Sequence, residues 1–432
     1  MEAKILDELL NWCSNTISKK LPMKVRFDAL LPLFTDKITF KIIKVAGTNG
    51  KGSTASMLAS CLQYENTNVG LFTSPHLVSI TERFRIKGVQ VSLEEILDIV
   101  TELKPILYDF VAEKGAEYTP SFFEVLILIG IELFHKKGVE VAIFEAGVGG
   151  VNDSTSLLPN ILALLTSVGL DHQEKLGETL EEVATNKTGI ANPETTLIIN
   201  SKIPNFLQEI ISTTAKLNHV KYLTSNNYIT NRTNDLYENK VTVHIEEASI
   251  NLEPTLKGTF QKENLNLVIE ACLFLKKIGV LKNIEAIKGV NTTQWEARFE
   301  VVGKNPVWIL DAAHNPHALN ALVESLDDVS TTQNRILLFG NSEGKDFQKM
   351  IALIPKISKT IYIVDSFHRA ISQEIIAQQI DDSYVFNKGN GNIQDATEHI
   401  IRNHSDKTIV VAGSIFMVGE VRKQLVSKHI IA

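Results

Sequence analysis

The sequence predicts an α/β protein with two mostly parallel sheets, and three features of the chain support this prediction. Short apolar runs alternate with helix-period segments through most of the 432 residues, a pattern typical of parallel strands joined by crossover helices. A glycine-rich loop follows the first of these runs and opens a helical segment. A second series of apolar runs begins near Phe299. The chain should therefore form two α/β domains.

The first series contains five predicted strands, each a short apolar run. In order they are IIKVA (42–46), VGLF (69–72), VAIFEA (141–146), ILALLTS (161–167) and TLIIN (196–200). Helices are predicted between them, notably after Lys51, from Ser121 to Lys136 and around Leu180 to Ile190. Residues 225–251 are rich in Asn and Thr and then alternate polar with apolar positions, which predicts a small antiparallel excursion. A helix from Gln261 to Lys277 ends this part.

The second series follows a polar segment at about 291–297, where we place a linker. It supplies five more predicted strands: VWILDA, RILLFG, TIYIVD, SYVF and TIVVAG. Each is separated from the next by a helical segment, so a second doubly wound sheet is expected. The predicted domains are 1–294, which contains the glycine-rich loop, and 295–432, a smaller α/β domain.

Composition excludes several functional classes. The formal net charge is −7, and Lys and Arg are scattered along the chain, so a nucleic-acid partner is not expected. Three cysteines lie far apart, which fits a reducing compartment and gives no zinc motif. The longest apolar stretch, Phe122 to Phe134, is too short to span a bilayer and carries two glutamates. The N-terminus does not have the pattern of a secretory signal. We expect a cytoplasmic protein that does not bind membranes.

The glycine-rich loop predicts nucleotide binding, because a loop between a strand and a helix presents backbone N–H groups and a helix N-terminus to phosphate. Its residues are Gly47, Thr48, Asn49, Gly50, Lys51, Gly52, Ser53 and Thr54. Lys51 would contact the β- and γ-phosphates. Val45 replaces the first glycine of the strict motif, and Gly52 separates the lysine from Ser53. The alternative is a plain strand-to-helix turn with an exposed lysine. A P-loop alone names no reaction, since kinases, ATPases and ligases share it.

A series of ordered motifs resembles the folylpolyglutamate synthase and dihydrofolate synthase family, which is related to the Mur amide ligases. The motifs are AGTNGKGST, LFTSPHL, ERFRI, SFFEVL, FEAGVGG with DST, SVGLDH, NKTGI, GTFQKEN, WEARFE, LDAAHNPHAL, LFGNSEGKD and AGSIFMVGEV. The resemblance implies a P-loop domain and a Rossmann-like domain that close over ATP, metal and both substrates. It also implies the chemistry: ATP phosphorylates a carboxylate, and the amine of glutamate attacks the acyl phosphate. Positioning and charge neutralisation dominate such catalysis.

The candidate metal ligands are Ser74, Glu145 and His172, which all lie near the carboxyl ends of predicted strands. The resemblance implies that Ser74 and Glu145 bind a first Mg²⁺, and that His172 with Glu145 serves a second. Lys187 matches a lysine that family members carry as a carbamate, which would supply negative charge beside the metal. The alternatives are a turn serine, a solvated glutamate, a structural histidine and an ordinary helix lysine.

Further nucleotide and glutamate contacts are implied by the resemblance. Arg298 would contact the ATP phosphates, although Ala297 replaces a usual glycine before it. Asp311 would accept hydrogen bonds from ribose hydroxyls, and His314 would face the reacting carboxylate or the incoming glutamate. Asn315 and Pro316 could alternatively cap the next helix. The remaining contacts are Gln261 and Asn264 for the nucleotide and Ser414 for glutamate.

The pterin side is the part of the site where this chain departs from the family pattern. Phe122, Phe123 and Glu124 resemble a substrate-facing block, although an aromatic pair at the start of an apolar helix is also typical of core. Arg83 and Arg85 face either the substrate or solvent. Asp153 and Thr155 are retained as substrate-side candidates. Around them, residues 151–156 read VNDSTS, where the family commonly has arginine at position 151 and asparagine at position 156.

The leading interpretation is therefore a monomeric, ATP- and Mg²⁺-dependent ligase that joins L-glutamate to dihydropteroate and also to folates. One alternative is an enzyme with only one of these two activities. A second is a Mur-type ligase acting on a UDP-linked sugar acid, which the SPHL, ERFRI and WEARFE motifs disfavour. A third is a non-enzymatic P-loop regulator, which would not need Glu145, His172, Lys187 and His314 together.

Overall fold

The computed structural model of the chain describes residues 2–15, 20–245, 247–343, 347–380, 385–387 and 391–431. Two motif segments fall partly outside these ranges: Ser383 and Tyr384 of the SYVF run, and the last three residues of LFGNSEGKD. The described part is a mixed α/β structure, as the sequence predicts. No helix in these ranges is both long and apolar enough to cross a membrane.

The first sheet has eight strands. They are β1 (Lys41–Ala46), β2 (Val69–Phe72), β3 (Phe84–Ile86), β4 (Val89–Gln90), β5 (Val141–Glu145), β6 (Leu162–Leu165), β7 (Thr196–Ile199) and β8 (Lys221–Thr224). Their order in the sheet is β4-β3-β2-β5-β1-β6-β7-β8. The six strands β2, β5, β1, β6, β7 and β8 are parallel to one another. At one end of the sheet, β3 pairs antiparallel with β2, and β4 pairs antiparallel with β3. All five predicted strands are present. The three additional ones are short and carry polar residues: β4 and β8 are the two edge strands, and β3 lies next to β4.

The described residues of this part of the chain form eight α-helices. They are α1 (Glu2–Asn15), α2 (Met23–Leu30), α3 (Lys51–Tyr64), α4 (Leu93–Lys114), α5 (Phe122–Lys136), α6 (Gln173–Leu176), α7 (Leu180–Thr188) and α8 (Asn205–Leu217). Three of them start at a capping box, with Ser92, Ser121 and Thr179 as N-caps. Each capping hydroxyl satisfies a backbone N–H that the first helical turn leaves unpaired. The sequence therefore determines these helix starts locally.

Two apolar clusters pack on one face of the first sheet. The first joins α1, α2, α4 and α5 to the half of the sheet around β2 and β5, and includes Ile42 of β1. The second joins α7 and α8 to β6 and β7, and includes Ala46 of β1. Residues two apart on a strand point to the same face, so both clusters meet along β1. The apolar stretch excluded as a membrane span is α5, whose residues 124–134 are buried in the first cluster.

An antiparallel excursion follows, as predicted. It consists of β9 (Ile229–Asn234), β10 (Asn239–Ile245) and β11 (Ala248–Leu252), paired in the order β11-β10-β9. Helix α9 (Gln261–Lys277) comes next.

The described part of the second α/β region has six strands and six α-helices. The strands are β12 (Glu300–Val302), β13 (Val307–Leu310), β14 (Arg335–Phe339), β15 (Thr360–Ile363), β16 (Val385–Asn387) and β17 (Thr408–Ala412). The helices are α10 (Pro316–Asp327), α11 (Phe347–Ile351), α12 (Ile354–Ile357), α13 (Gln373–Ala377), α14 (Ile393–Asn403) and α15 (Ile415–Ser427). The sheet order is β12-β13-β17-β14-β15-β16, and only β12 is antiparallel to its neighbour.

The chain divides into two compact units. The first contains Met1–Asn227 and Glu263–Gly289, and the second contains Tyr228–Lys262 and Val290–Ala432. The predicted domain limits differ from these units mainly in residues 228–262. Within that segment, Arg232 donates to the carbonyls of Gly258 (2.8 Å) and Thr259 (3.1 Å). The backbone N–H of Thr259 donates in turn to Ser325 Oγ on α10 at 2.9 Å.

Candidate active site

The predicted nucleotide and metal residues of the first unit follow four neighbouring strands. In sheet order, β2 is followed by Ser74, β5 ends at Glu145, β1 leads into the glycine-rich loop, and β6 leads towards His172. Since these strands are parallel, their carboxyl ends share one edge of the sheet, where open α/β sheets bind their ligands. The sequence could not give this order, because β5 inserts between β2 and β1.

The glycine-rich loop has a backbone that only glycine suits at two positions. Gly47 has φ 149° and Gly50 has φ 85°, values that L-residues with a side chain rarely adopt. A Cβ on Gly47 would lie 1.9 Å from Thr166 Oγ1, and a Cβ on Gly50 would lie 2.4 Å from Asn264 Oδ1. The loop is thus closely packed by two polar side chains, and the predicted nucleotide residue Asn264 lies directly against it.

Residues after β6 hold the loop by hydrogen bonds. The backbone N–H of Thr48 donates to Ser167 O at 3.0 Å, and that of Asn49 to Ser167 Oγ at 2.9 Å. Thr166 Oγ1 donates to Asn49 O at 2.6 Å. The side chain of Thr48 exchanges hydrogen bonds with the backbone of Gly169 at 2.9 and 3.0 Å. Sequence reasoning did not identify Thr166 and Ser167; the only local signal was a hydroxyl pair at the end of an apolar strand.

Lys51 is the first residue of α3 and reaches back over the loop. Its Nζ donates to Gly47 O at 3.0 Å and to Thr48 O at 3.3 Å, and the side chain is half-buried. A helix N-terminus and an ammonium group together attract an anion. This geometry favours phosphate binding over a plain turn, in which the lysine would extend into solvent.

Ser74 and Glu145 lie in contact. The backbone N–H of Ser74 donates to Glu145 Oε2 at 3.1 Å, and Glu145 is only 4% exposed. The glutamate is therefore not a solvated strand end. A hydroxyl and a carboxylate are hard oxygen donors of the kind that Mg²⁺ prefers, and Mg²⁺ usually keeps water and phosphate as its other ligands. The residues present fit that ion.

His172 lies at the same edge but differs in its surroundings. Its side chain is 39% exposed, with Nδ1 3.6 Å from Glu174 Oε1 and Nε2 3.9 Å from Asp171 Oδ1. Its backbone is left-handed, with φ 52°. Within the described ranges, no group of three or more His, Cys, Asp or Glu side chains could hold a metal.

Lys187 is buried near the loop lysine. It is 3% exposed on α7, and burial lowers the pKa of its ammonium group to about 7, helped by the positive charge of Lys51. Asp171 and Asp153 oppose this shift. Lys187 is therefore not the ordinary surface lysine of the alternative interpretation, and near pH 7 a substantial fraction of its amine is neutral.

Asp153 and Thr155 order the loop after β5. Asp153 Oδ2 accepts the N–H of Val148 at 2.8 Å, while Oδ1 accepts the N–H of Thr155 at 3.0 Å and its hydroxyl at 2.6 Å. Both side chains are buried, and burial raises the pKa of Asp153. The observed contacts are internal to the loop, so substrate contact by these two residues stays a prediction.

Arg83 and Phe122 lie together, and Arg83 is close enough to Glu145 to interact with its charge. Arg83 lies over the Phe122 ring, with Cζ 5.7 Å from the ring centroid, and its Nε donates to His76 Nδ1 at 2.9 Å. Burial lowers the pKa of Arg83 to about 10, against the opposing charge of Glu145. Arg83 and Arg85 are 6% and 5% exposed, so neither faces solvent. Sequence reasoning missed His76, which burial and Arg83 keep neutral by lowering its pKa to about 4.

Phe123 packs against another aromatic ring, and Glu124 forms a buried ion pair with Arg26. The Phe123 ring lies 5.8 Å from that of Phe72, and a Cβ on Gly147 would lie 2.9 Å from it. Glu124 is fully buried and accepts two hydrogen bonds from Arg26, at 2.5 and 2.9 Å. Within the aromatic block, Phe122 is therefore the residue that packs beside Arg83.

In the second unit, Asp311 holds the segment that carries Arg298. Its two oxygens accept the N–H groups of Phe299 and Ala313, both at 2.8 Å. Burial raises the pKa of Asp311 to about 6, while Arg298 opposes the shift. Ala297 and Phe299, on either side of Arg298, have left-handed backbones with φ 53° and 50°. A ribose contact by Asp311 stays a prediction, and so does a phosphate contact by Arg298.

His314 and Ser414 occupy turns that follow β13 and β17. His314 Nδ1 donates to Ala312 O at 2.8 Å. Asn315 caps α10 through the N–H of Ala318 at 2.8 Å, so the capping alternative is correct for Asn315. Ser414 Oγ lies 2.8 Å from Ser342 Oγ. Gln261 is buried at the first position of α9.

Known families and structures share this organisation. The Mur ligase middle domain matches residues 45–272, and the Mur ligase glutamate ligase domain matches residues 297–415. The dihydrofolate synthase/folylpolyglutamate synthase of Bacillus subtilis is 30% identical over 88% of this chain and 89% of its own length. A probable bifunctional folylpolyglutamate synthase/dihydropteroate synthase of Halobacterium salinarum is 30% identical over 88% of this chain. The chain spans only 46% of that relative.

A solved structure has the same fold. The crystal structure of a folylpolyglutamate synthase from Thermotoga maritima matches with a TM-score of 0.83 and 25% identity. The match covers 100% of this chain and 98% of that one.

Proposed function

The chain belongs to the folylpolyglutamate synthase and dihydrofolate synthase family of Mur ligases, and on that premise we propose that it joins L-glutamate to dihydropteroate, and also to folates, at the expense of ATP. The observation that carries the proposal is the single sheet edge that presents the Lys51 loop and the Ser74–Glu145 pair. An anion site beside hard oxygen donors is what phosphoryl transfer requires.

The reaction proceeds through an acyl phosphate. A carboxylate oxygen of the substrate attacks the γ-phosphorus, and the bond to the β-phosphate oxygen breaks to release ADP. The amine of glutamate then attacks the activated carbonyl carbon, loses a proton and expels inorganic phosphate. Lys51 and the N–H groups that begin α3 hold the phosphates and stabilise the charge on them. Mg²⁺ held by Ser74 and Glu145 would neutralise part of the same charge.

The remaining assignments belong to the same proposal. A second Mg²⁺ is placed at Glu145 and His172. Arg298 and Asp311 are placed on the nucleotide, with Gln261 and Asn264, whereas His314 and Ser414 are placed on the reacting carboxylate and glutamate. A cytoplasmic location and a monomeric state are also proposed, and the three buried free thiols, Cys13, Cys61 and Cys272, suit a reducing compartment.

A substrate panel tests the function. Purified protein is incubated with ATP, Mg²⁺, glutamate and one of dihydropteroate, tetrahydrofolate or UDP-N-acetylmuramate. We expect glutamate-dependent phosphate release with the two pterin substrates and none with the sugar acid. With ¹⁸O in the substrate carboxylate, one labelled oxygen should appear in the released phosphate, because the carbon–oxygen bond of the acyl phosphate breaks and that oxygen departs with the phosphate. Label confined to the amide product, or turnover of the sugar acid alone, would contradict the proposal.

We propose in addition that Lys187 carries a carbamate. The neutral Nζ attacks the carbon of CO₂, a nitrogen–carbon bond forms, and the proton leaves to solvent. The product is an anion near Lys51, where a neutral or cationic lysine would leave positive charge uncompensated. Support comes from the burial of Lys187 and from its pKa of about 7.

Carbamate formation should depend on pH. Below pH 7 the Lys187 amine is protonated and lacks the lone pair that attacks CO₂, so the carbamate should increase as pH rises from about 6 to 8. ¹³C NMR with labelled bicarbonate measures it as a carbamate carbonyl resonance. Lys187→Met should remove the resonance, whereas Lys175→Met, on the exposed surface of α6, should keep it. A wild-type protein without this resonance would rule out the modification.

A further inference from the structure

A second buried lysine lies in the middle of the central strand. Lys44 of β1 is fully buried, opposite Phe144 of β5 and Ala163 of β6. It points to the sheet face on which the two apolar clusters meet, between Ile42 and Ala46. Parallel strands buried on both faces are normally apolar throughout, and a buried lysine needs polar partners. Sequence reasoning read this position only as part of an apolar run.

The Lys44 ammonium group has three acceptors. Its Nζ donates to Asn192 Oδ1 at 2.6 Å, to Ser156 O at 2.9 Å and to Ile190 O at 3.2 Å. An ammonium group has three N–H donors and no acceptor, so this set satisfies it completely. Burial lowers the pKa of Lys44, whereas the carboxylate of Asp153 opposes the shift, and hydrogen bonds to three acceptors favour the charged form.

These acceptors come from two segments of the chain. Ser156 lies in a short 3-10 helix, Ser154–Leu157, at the end of the loop that departs from the family pattern. Ile190 lies just past α7, where the last carbonyls of a helix lack helical partners and favour a cation. Asn192 Nδ2 also donates to Ser156 O, at 3.2 Å. Lys44 and Asn192 thus join the loop end to the helix end.

The start of the same loop packs against Lys187. The N–H of Val151 donates to Asn186 O at 2.9 Å, and that of Gly150 donates to Asn186 Oδ1 at 3.0 Å. A Cβ on Gly150 would lie 2.6 Å from the carbonyl oxygen of Lys187. The N–H of Ile190 donates to that same carbonyl at 3.2 Å. A shift of the loop or of the end of α7 would therefore move the backbone of Lys187.

We propose that Lys44 is a positioning residue: it fastens the 150–156 loop to the end of α7 and so holds the Lys187 amine where its carbamate forms. This role rests on the proposed carbamate at Lys187. Lys44 does not contact substrate. Its effect passes through Ile190 and the loop, in the way that partners outside a ligand shell orient the ligand.

Three variants of the full chain test this role. Lys44→Met removes the three donors and keeps an unbranched side chain that is one atom shorter. Asn192→Ala is milder, because it removes one acceptor and the second link to Ser156 while leaving Lys44 in place. Ile43→Val is the control: it lies on the same strand, is fully buried, points to the opposite face and makes no polar link. Thermal midpoints are recorded for each variant.

The decisive readout is the ¹³C bicarbonate concentration that gives half of the maximal carbamate resonance. Lys44→Met should raise this concentration by about tenfold, Asn192→Ala should raise it to a smaller extent, and Ile43→Val should leave it unchanged despite some loss of stability. If Lys44→Met does not fold, the bicarbonate midpoint of Asn192→Ala alone tests the role of Lys44. Lower thermal midpoints with an unchanged bicarbonate midpoint would overturn the role of Lys44 and leave the carbamate standing. A wild-type protein without carbamate would overturn both.

Discussion

Replacing Lys51 by alanine is expected to lower kcat/KM for ATP by about 10³-fold while the protein stays folded. The Nζ of Lys51 lies over the loop, on the carbonyls of Gly47 and Thr48, so it is placed to stabilise charge on the transferring phosphoryl group. The side chain is half-buried at the first position of α3 and is not part of an apolar cluster. Its removal should therefore cost little folding stability. Steady-state kinetics and thermal denaturation measure the two effects.

Lys175→Ala is the matched control for the Lys51 variant. Lys175 is an exposed lysine of α6, in the segment that follows β6 at the same sheet edge. Its removal changes the net charge equally but takes no donor from the loop, so activity should stay within about twofold of wild type. Wild-type turnover in a folded Lys51→Ala protein would mean that the loop does not bind the reacting phosphates.

The parts of the fold that sequence predicted are those set by local patterns. Ten apolar runs and their intervening helices follow from periodicity, and the P-loop follows from its glycines next to a strand. The order of the strands does not follow, because β5 enters between β2 and β1 only when nonlocal pairs form. The hydroxyls of Thr166 and Ser167 were missed for the same reason: they contact the loop more than a hundred residues earlier in the chain.

Side-chain roles were harder to predict than positions. Asp153 and Asp311 lie where the sequence places them, yet their carboxylates accept backbone N–H groups of nearby residues. A residue type and a motif do not show which hydrogen bonds are already satisfied within the fold. Arg83 shows the opposite case, because burial beside Phe122 and Glu145 excludes the solvent-facing interpretation that sequence left open. Nothing in the sequence indicated the role of Lys44, since a single lysine in an apolar run does not disturb the strand pattern.

The Ser74–Glu145 pair leads to the second large effect. Glu145→Gln is expected to lower kcat/KM by about a hundredfold and to raise the Mg²⁺ concentration for half-maximal activity. The amide has nearly the shape of the carboxylate and can still accept the N–H of Ser74, so the local structure should persist. The substitution removes the negative charge of a side chain that is only 4% exposed. A hard divalent cation binds an amide oxygen more weakly than a carboxylate. Turnover measured over a range of Mg²⁺ concentrations separates weaker metal binding from slower chemistry.

Glu140→Gln supplies the control, because Glu140 immediately precedes β5, at the amino end of the strand that Glu145 ends. It is exposed and accepts the N–H of Asn68 at 2.8 Å, a bond that glutamine can also accept. Its substitution removes the same charge from the same segment, about five residues from the proposed metal position, or roughly 16 Å along an extended strand. The Mg²⁺ dependence should then match wild type. If both variants shift the Mg²⁺ requirement equally, the effect is one of net charge and Glu145 is not a ligand; if only Glu145→Gln shifts it, the ion binds at the carboxyl end of β5, beside Ser74.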